Sequence, residues 1–164
     1  MLKLDVTINR EIDEGDRPLK EVFIGFERVG AVKAIFGGRT NDVLEKTRVV
    51  LQERKGYLRV DDTNGKILIS ILYLKNGDEK HLYLDLIHEL VHVRQYMEGR
   101  ELFDKRYSYV DRPTEIEAYS VAVKEAKRIG MNYEEIEDYL KVEWVTDEEF
   151  NRMLTNLHLR PKAD

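Results

Sequence analysis

The stretch Lys80–Glu98 reads KHLYLDLIHELVHVRQYME and runs into Gly99. Its apolar residues recur at helical spacing, and a glycine after the last of them is a common helix terminator. The spacing predicts a helix over 80–98. Inside it, His88-Glu89-Leu90-Val91-His92 sets two histidines four positions apart. On a helix they stand one turn above each other, so both imidazoles can reach one metal ion. Glu89 falls on the neighbouring face, where a carboxylate can hold and deprotonate a water acidified by the metal. At about 100° per residue, Asp85, His88, Glu89, His92 and Tyr96 share about 100° of arc. Leu86, Leu90, Val93 and Met97 fall on the other side, so a metal face and a core face are expected to be separate.

On the C-terminal side, Pro113 suits the first turn of a helix running to about Ile129, which Gly130 closes. Two shorter helices are expected, Tyr133 to about Val142 and Thr146 to about Leu157. Thr146-Asp-Glu-Glu149 is a capping-box pattern. On the N-terminal side, Lys66–Lys75 reads as a strand rich in Ile and Leu, closed by Asn76-Gly77. Asp62-Thr-Asn-Gly65 is a turn signal, and Arg48–Glu53 and Gly56–Asp61 are short β-like runs. Arg10–Pro18, charged and containing Gly15, reads as a loop or long turn. Leu19–Phe36 contains a helix weakened by Gly25 and Gly30 and ended by Gly37-Gly38. A helix, a small and mostly antiparallel sheet, and a helical half give an α+β class rather than alternating βαβ units.

The chain has 164 residues, a length that suits one domain over 1–164. Lys and Arg number 27 against 32 Asp and Glu, for a formal charge of −5. That balance argues against a dedicated nucleic-acid binder. There is no cysteine, so disulfides, thiolate zinc sites and cysteine nucleophiles are excluded. A protein-bound transition metal must use His, Asp and Glu. Charged residues make up 36% and Gln occurs only at Gln52 and Gln95, as in heat-adapted proteins. Met1–Arg10 lacks the apolar core of a secretory signal. The longest apolar run, Ile67–Leu74, is strand-sized, so no membrane span is expected. A cytoplasmic protein is the expectation.

A catalytic zinc takes three protein ligands and leaves one position open. The extended metzincin pattern fails, because Gln95 and Glu98 stand where it needs Gly and His. His158, Asp104 and Asp111 are possible third ligands. The stronger candidates lie in Arg112–Ala122. Ala118, Tyr119, Val121, Ala122, Val123, Ala126 and Ile129 form an apolar arc. Glu115 projects near its middle and Glu117 nearly opposite. A carboxylate in an apolar face is costly unless it is paired or ligates a metal, which favours Glu115. Glu117 reads more simply as a solvated residue paired with Lys124 or Arg128.

His-Glu-x-x-His with a helical glutamate downstream resembles the gluzincin branch of zinc metallopeptidases. Thermolysin-like members carry E-x-x-x-D and others E-x-E-A-D, with the first Glu as ligand. Here the stretch is Glu115-Ile-Glu117-Ala118-Tyr119, and the match again selects Glu115. Tyr119 replaces the Asp that commonly orients the first histidine, a task for which Asp85 is one candidate. The chain is similar in size to the single-domain minigluzincins, and the same elements resemble ImmA-type regulatory peptidases. The resemblance covers about Lys66–Ile129. It implies a zincin-like mixed sheet whose edge strand follows a substrate cleft, with Lys66–Leu74 as the candidate strand.

The expected function is zinc-dependent hydrolysis of a peptide or protein substrate. Zn2+ is expected on His88, His92 and Glu115, with Glu89 as general base. Tyr107, Tyr109 and Arg112 are candidates for stabilising the oxyanion. The alternative is a silent or latent zincin-fold protein with a regulatory or interaction role, its cleft covered by the C-terminal helices. A DNA-linked regulator of the ImmA type is disfavoured, since no helix-turn-helix unit is evident. Oligomeric state is open at this stage.

Overall fold

The computed structural model describes residues 3–160. Met1-Leu2, the start of the stretch read for a secretory signal, and residues 161–164 of the expected domain lie outside the described residues. The chain opens with β1 (Thr7–Ile8), β2 (Gly15–Pro18), α1 (Leu19–Val22) and β3 (Phe23–Ile24). Helices α2 (Gly30–Phe36) and α3 (Thr40–Lys46) follow, then strands β4 (Arg48–Gln52), β5 (Leu58–Val60) and β6 (Ile67–Ser70). The rest is helical: α4 (Ile71–Asn76), α5 (Glu79–Met97), α6 (Pro113–Arg128), α7 (Tyr133–Leu140) and α8 (Asp147–Asn156). The architecture is mixed α+β with small sheets, as expected.

The main sheet has the order β2-β4-β6-β5. β4 and β6 run parallel, while β2–β4 and β5–β6 are antiparallel. β1 and β3 form a separate two-stranded ribbon. Two expectations are corrected here. Arg10–Pro18 is not wholly a loop, because Gly15–Pro18 pairs with β4 and forms one edge of the sheet. The strand expected over Lys66–Lys75 stops at Ser70, whose hydroxyl accepts the Tyr73 N–H (3.3 Å) and caps α4. Ile71 and Leu74 are buried while Leu72 is exposed, a helical rather than an alternating pattern. An apolar run of Ile and Leu fits a buried strand or a buried helix, and the serine cap decides.

The edge strand beside Glu89 is therefore β5, not the Lys66–Leu74 segment. Residues 61–66 return the chain from β5 to β6. Gly65 has a left-handed φ of +75°, and its N–H reaches Asp61 O (2.7 Å). A side chain there would also strike the Tyr96 ring, since an added Cβ would lie 2.6 Å from it.

Helix α5 begins one residue earlier than its periodicity suggests, because Asp78 accepts the His81 N–H (3.0 Å). It ends as expected at Gly99 (φ +75°), where Arg100 N–H bonds Gln95 O. The expected division into a metal face and a core face is modified. Leu86, Leu90 and Val93 are in the core as anticipated, but His88, Glu89 and His92 are equally buried, and Met97 is exposed. The helix is enclosed by α2, α6 and β5, so it has no solvated face over 86–93. Pro113 opens α6, and α7 and α8 both start with capping boxes, Asn132 with Glu135 and Thr146 with Glu149. No helix among the described residues is long and apolar enough to cross a membrane.

Candidate metal centre

His88, Glu89 and His92 offer ligand atoms that all lie within 4.8 Å of one another and are buried. This group can hold a metal ion. Helix α5 supplies all three, and α6, packed against it, brings Glu115 to the same point. Glu115 Oε1 lies 3.0 Å from His88 Nε2 and 2.9 Å from His92 Nε2, and the two Nε2 atoms are 3.1 Å apart.

The protonation of this cluster follows from Gln95. Its amide NH2 donates to Thr114 O (3.1 Å) and Glu117 Oε1 (2.9 Å), which fixes the amide orientation. Gln95 Oε1 therefore faces His92 Nδ1 (2.7 Å), and Nδ1–H must be the donor. In neutral His92, Nε2 then carries a bare lone pair. That lone pair points at a carboxylate oxygen, which only accepts, and at another imidazole nitrogen. Two acceptors, His92 Nε2 and Glu115 Oε1, therefore stand 2.9 Å apart and need a cation between them, a proton or a metal ion. The donor set of two imidazoles and a carboxylate fits a zinc ion.

Burial and neighbours pull the four groups apart electrostatically. Desolvation raises the Glu89 carboxyl to about 8. Desolvation also raises Glu115, but its contacts with His88 and His92 outweigh this and hold it far below the usual carboxylate range. Burial lowers His88. For His92, burial is outweighed by the Glu115 hydrogen bond and charge, which lift it to about 9. Glu89 stands apart from the ligand triangle: Val60 N–H of β5 donates to its Oε1 (3.0 Å), and its Oε2 is 3.8 Å from His88 Nε2.

No family model matches the chain, and no curated protein or solved structure does. The site's own chemistry therefore carries the functional argument.

The other candidates sort clearly. Glu117 does not face the histidines, and its partners are not Lys124 or Arg128. It pairs with Arg94 (2.9 Å) and Arg100 (3.1 Å), because it lies over the C-terminal end of α5. Arg128 instead binds Glu125 (2.6 Å), a buried carboxylate that also takes the Tyr83 hydroxyl. Asp104 is held by Arg106 and Asp111 by Arg152, and His158 is exposed. Asp85 does not orient His88. Its oxygens accept from the Tyr73 and Tyr139 hydroxyls, and His88 Nδ1 has no hydrogen-bond partner among the described residues. The Tyr119 ring lies against the His88 ring instead, with centroids 4.1 Å apart.

The centre opens into a cavity of about 530 Å³. Tyr109 and Arg112 line it, while Tyr107 is exposed and lines a different depression. The residues from Arg54 to Arg59, running into β5, form one wall, and Trp144 between α7 and α8 reaches the rim. Sequence reading missed Gln95 as a partner of His92, although its position three residues after His92 was the available signal. It also missed the Val60 amide, which only strand pairing brings to Glu89.

Proposed function

We propose that the chain is a zinc-dependent metallopeptidase of gluzincin type, acting on peptide or protein substrates in the cytoplasm. The observation that carries this reading is the convergence of His88 Nε2, His92 Nε2 and Glu115 Oε1, with the His92 lone pair aimed inward by Gln95. A zinc ion held by His88, His92 and Glu115 would supply a Lewis acid and an acidified water. Glu89 is held beside them by the Val60 amide with its second oxygen 3.8 Å from His88 Nε2, the position a general base requires. It takes the proton of the attacking water and later passes it to the leaving amine. Arg112 and Tyr109 are the remaining candidates for meeting the oxyanion. Tyr109 is already engaged with the Tyr119 hydroxyl, which favours Arg112.

The test is hydrolysis of an unbiased peptide library. Cleavage should vanish on treatment with a chelator and return on adding zinc. Cleavage that persists after complete metal removal would overturn the proposal.

One observation favours the latent alternative. The Tyr57 hydroxyl bonds Glu143 and so ties the segment carrying Trp144 to the cavity lip. A protein that binds zinc stoichiometrically yet cleaves nothing in the library would establish this second reading.

Gln95 gives a further expected result. Gln95→Met keeps the volume but removes the acceptor for His92 Nδ1–H. Metal affinity should fall about 10–100-fold, as for other partners of ligating histidines. A zinc titration checks this, with circular dichroism to verify the fold.

A further inference from the structure

The cavity over the metal centre carries the opposite charge to the protein. Arg54, Lys55, Arg59, Lys105 and Arg112 all line it, in a chain of formal charge −5. Among the described residues its only lining carboxylates are Glu89 and Glu115, both at the centre. Among the described residues, none of the five cations makes an ion pair. Elsewhere on the surface pairing is common: Arg48 with Asp16, Arg94 with Glu117, Arg106 with Asp104, Arg152 with Asp111.

The five are held by other means. The Arg59 guanidinium lies 4.4 Å over the Phe103 ring. Arg112 Nε donates to the Asp104 carbonyl (3.1 Å). Arg54 is half-buried, and burial and the neighbouring Arg59 lower its affinity for a proton. Of the acids around the rim, Glu143 accepts from Tyr57 and Asp104 is taken by Arg106, while Asp62 and Glu101 share an adjoining depression with Arg59 and Lys105 but form no ion pair with them. Three of the cations come from the segment leading through β5 and two from the connection between α5 and α6. Charge is therefore gathered from two parts of the chain around one cleft. Gathering unpaired like charges is unfavourable unless a ligand of opposite charge repays it.

We infer that the substrates are peptides rich in Asp or Glu around the bond cleaved, an inference that rests on the peptidase reading. A basic cleft with aromatics also suits single-stranded nucleic acid, which needs free ring faces for base stacking. Here the rings are packed on one another, with Trp144 at the rim half exposed. Tyr57 lies against Tyr73 and Trp144, and Tyr109 against Tyr119 and Trp144. Phe103 is covered by Arg59. The observations favour an anionic peptide.

The experiment uses the zinc-loaded Glu89→Gln protein, which does not consume its ligand. Binding is measured by fluorescence anisotropy for three labelled octapeptides with one apolar centre and flanks of Glu, Gln or Lys. The Glu-flanked peptide should bind about tenfold or more tighter than the Gln-flanked one, for a few contacts of ordinary surface-pair strength. The margin should shrink at high salt. Arg59→Glu with Lys105→Glu, both at exposed positions, should abolish the preference. Lys124→Glu, also exposed and outside the cavity lining, should keep it.

Equal binding of the three peptides, or a preference that survives the double reversal, overturns the inference. So does a thymidine oligomer that binds more tightly than the Glu-flanked peptide. Hydrolysis by the unsubstituted protein is followed in parallel. Hydrolysis without charge preference removes this inference alone. Preferential binding with no hydrolysis of any peptide supports the anionic ligand and removes the peptidase reading.

Discussion

Glu89→Gln is expected to keep a full equivalent of zinc and to hydrolyse peptides about 10²–10⁴-fold more slowly than the unsubstituted chain, the usual contribution of a positioned general base. The substitution isolates proton transfer from metal binding for a structural reason. Glu89 is not part of the triangle of His88, His92 and Glu115, and its fixed oxygen only accepts the Val60 N–H. Glutamine offers the same acceptor at the same length, so the side chain should stay in place. What it loses is the ability to take a proton. Peptidase rates and zinc titration on the same preparation separate the two effects. A variant retaining more than about a tenth of the activity would remove Glu89 from the role of base, since even modest general-base catalysis exceeds that margin.

The second large effect is expected at Glu115. Glu115→Ala should weaken zinc binding by more than about 100-fold, because loss of a direct ligand should exceed the 10–100-fold cost of losing a partner behind one. The fold should survive. Alanine is the best helix former, and the change removes a buried carboxylate whose burial is costly. Glu117→Ala is the matched control two residues away. It breaks half-exposed pairs with Arg94 and Arg100, each worth at most about 1 kcal/mol. It also frees one hydrogen bond of Gln95, so a small loss of affinity is expected and not a loss of the site. Isothermal titration of both variants with zinc checks this. Loss of zinc in Glu117→Ala with retention in Glu115→Ala would reverse the ligand assignment.

The contrast between these two glutamates also shows how far the sequence could be read. Glu115 was legible because helical phase put a carboxylate in the middle of an apolar arc, and burial of a charge demands a partner. His88, Glu89 and His92 were legible for the same reason: their relation is local to one helix. Relations set by tertiary packing were not legible. Nothing local says that Glu117 meets Arg94 and Arg100 rather than Lys124 or Arg128, since that depends on how α5 and α6 cross. Nothing local ends β6 at Ser70 except a cap that a continuous strand would leave unused. That one boundary moved the cleft-lining edge from Lys66–Leu74 to β5, and with it the amide that holds Glu89. The cationic cleft was hidden more completely. Its five members are spread from Arg54 to Arg112 in a chain of net negative charge, and only folding gathers them.

His88, His92 and Glu115 are proposed to bind one zinc ion. The most direct measurement is the metal content of the unsubstituted chain after chelation, reconstitution with zinc and gel filtration. One equivalent of zinc per chain is expected, lost when Glu115 is replaced by alanine. A chain that leaves the column with no zinc, or with the same zinc content in the Glu115→Ala variant, would contradict it.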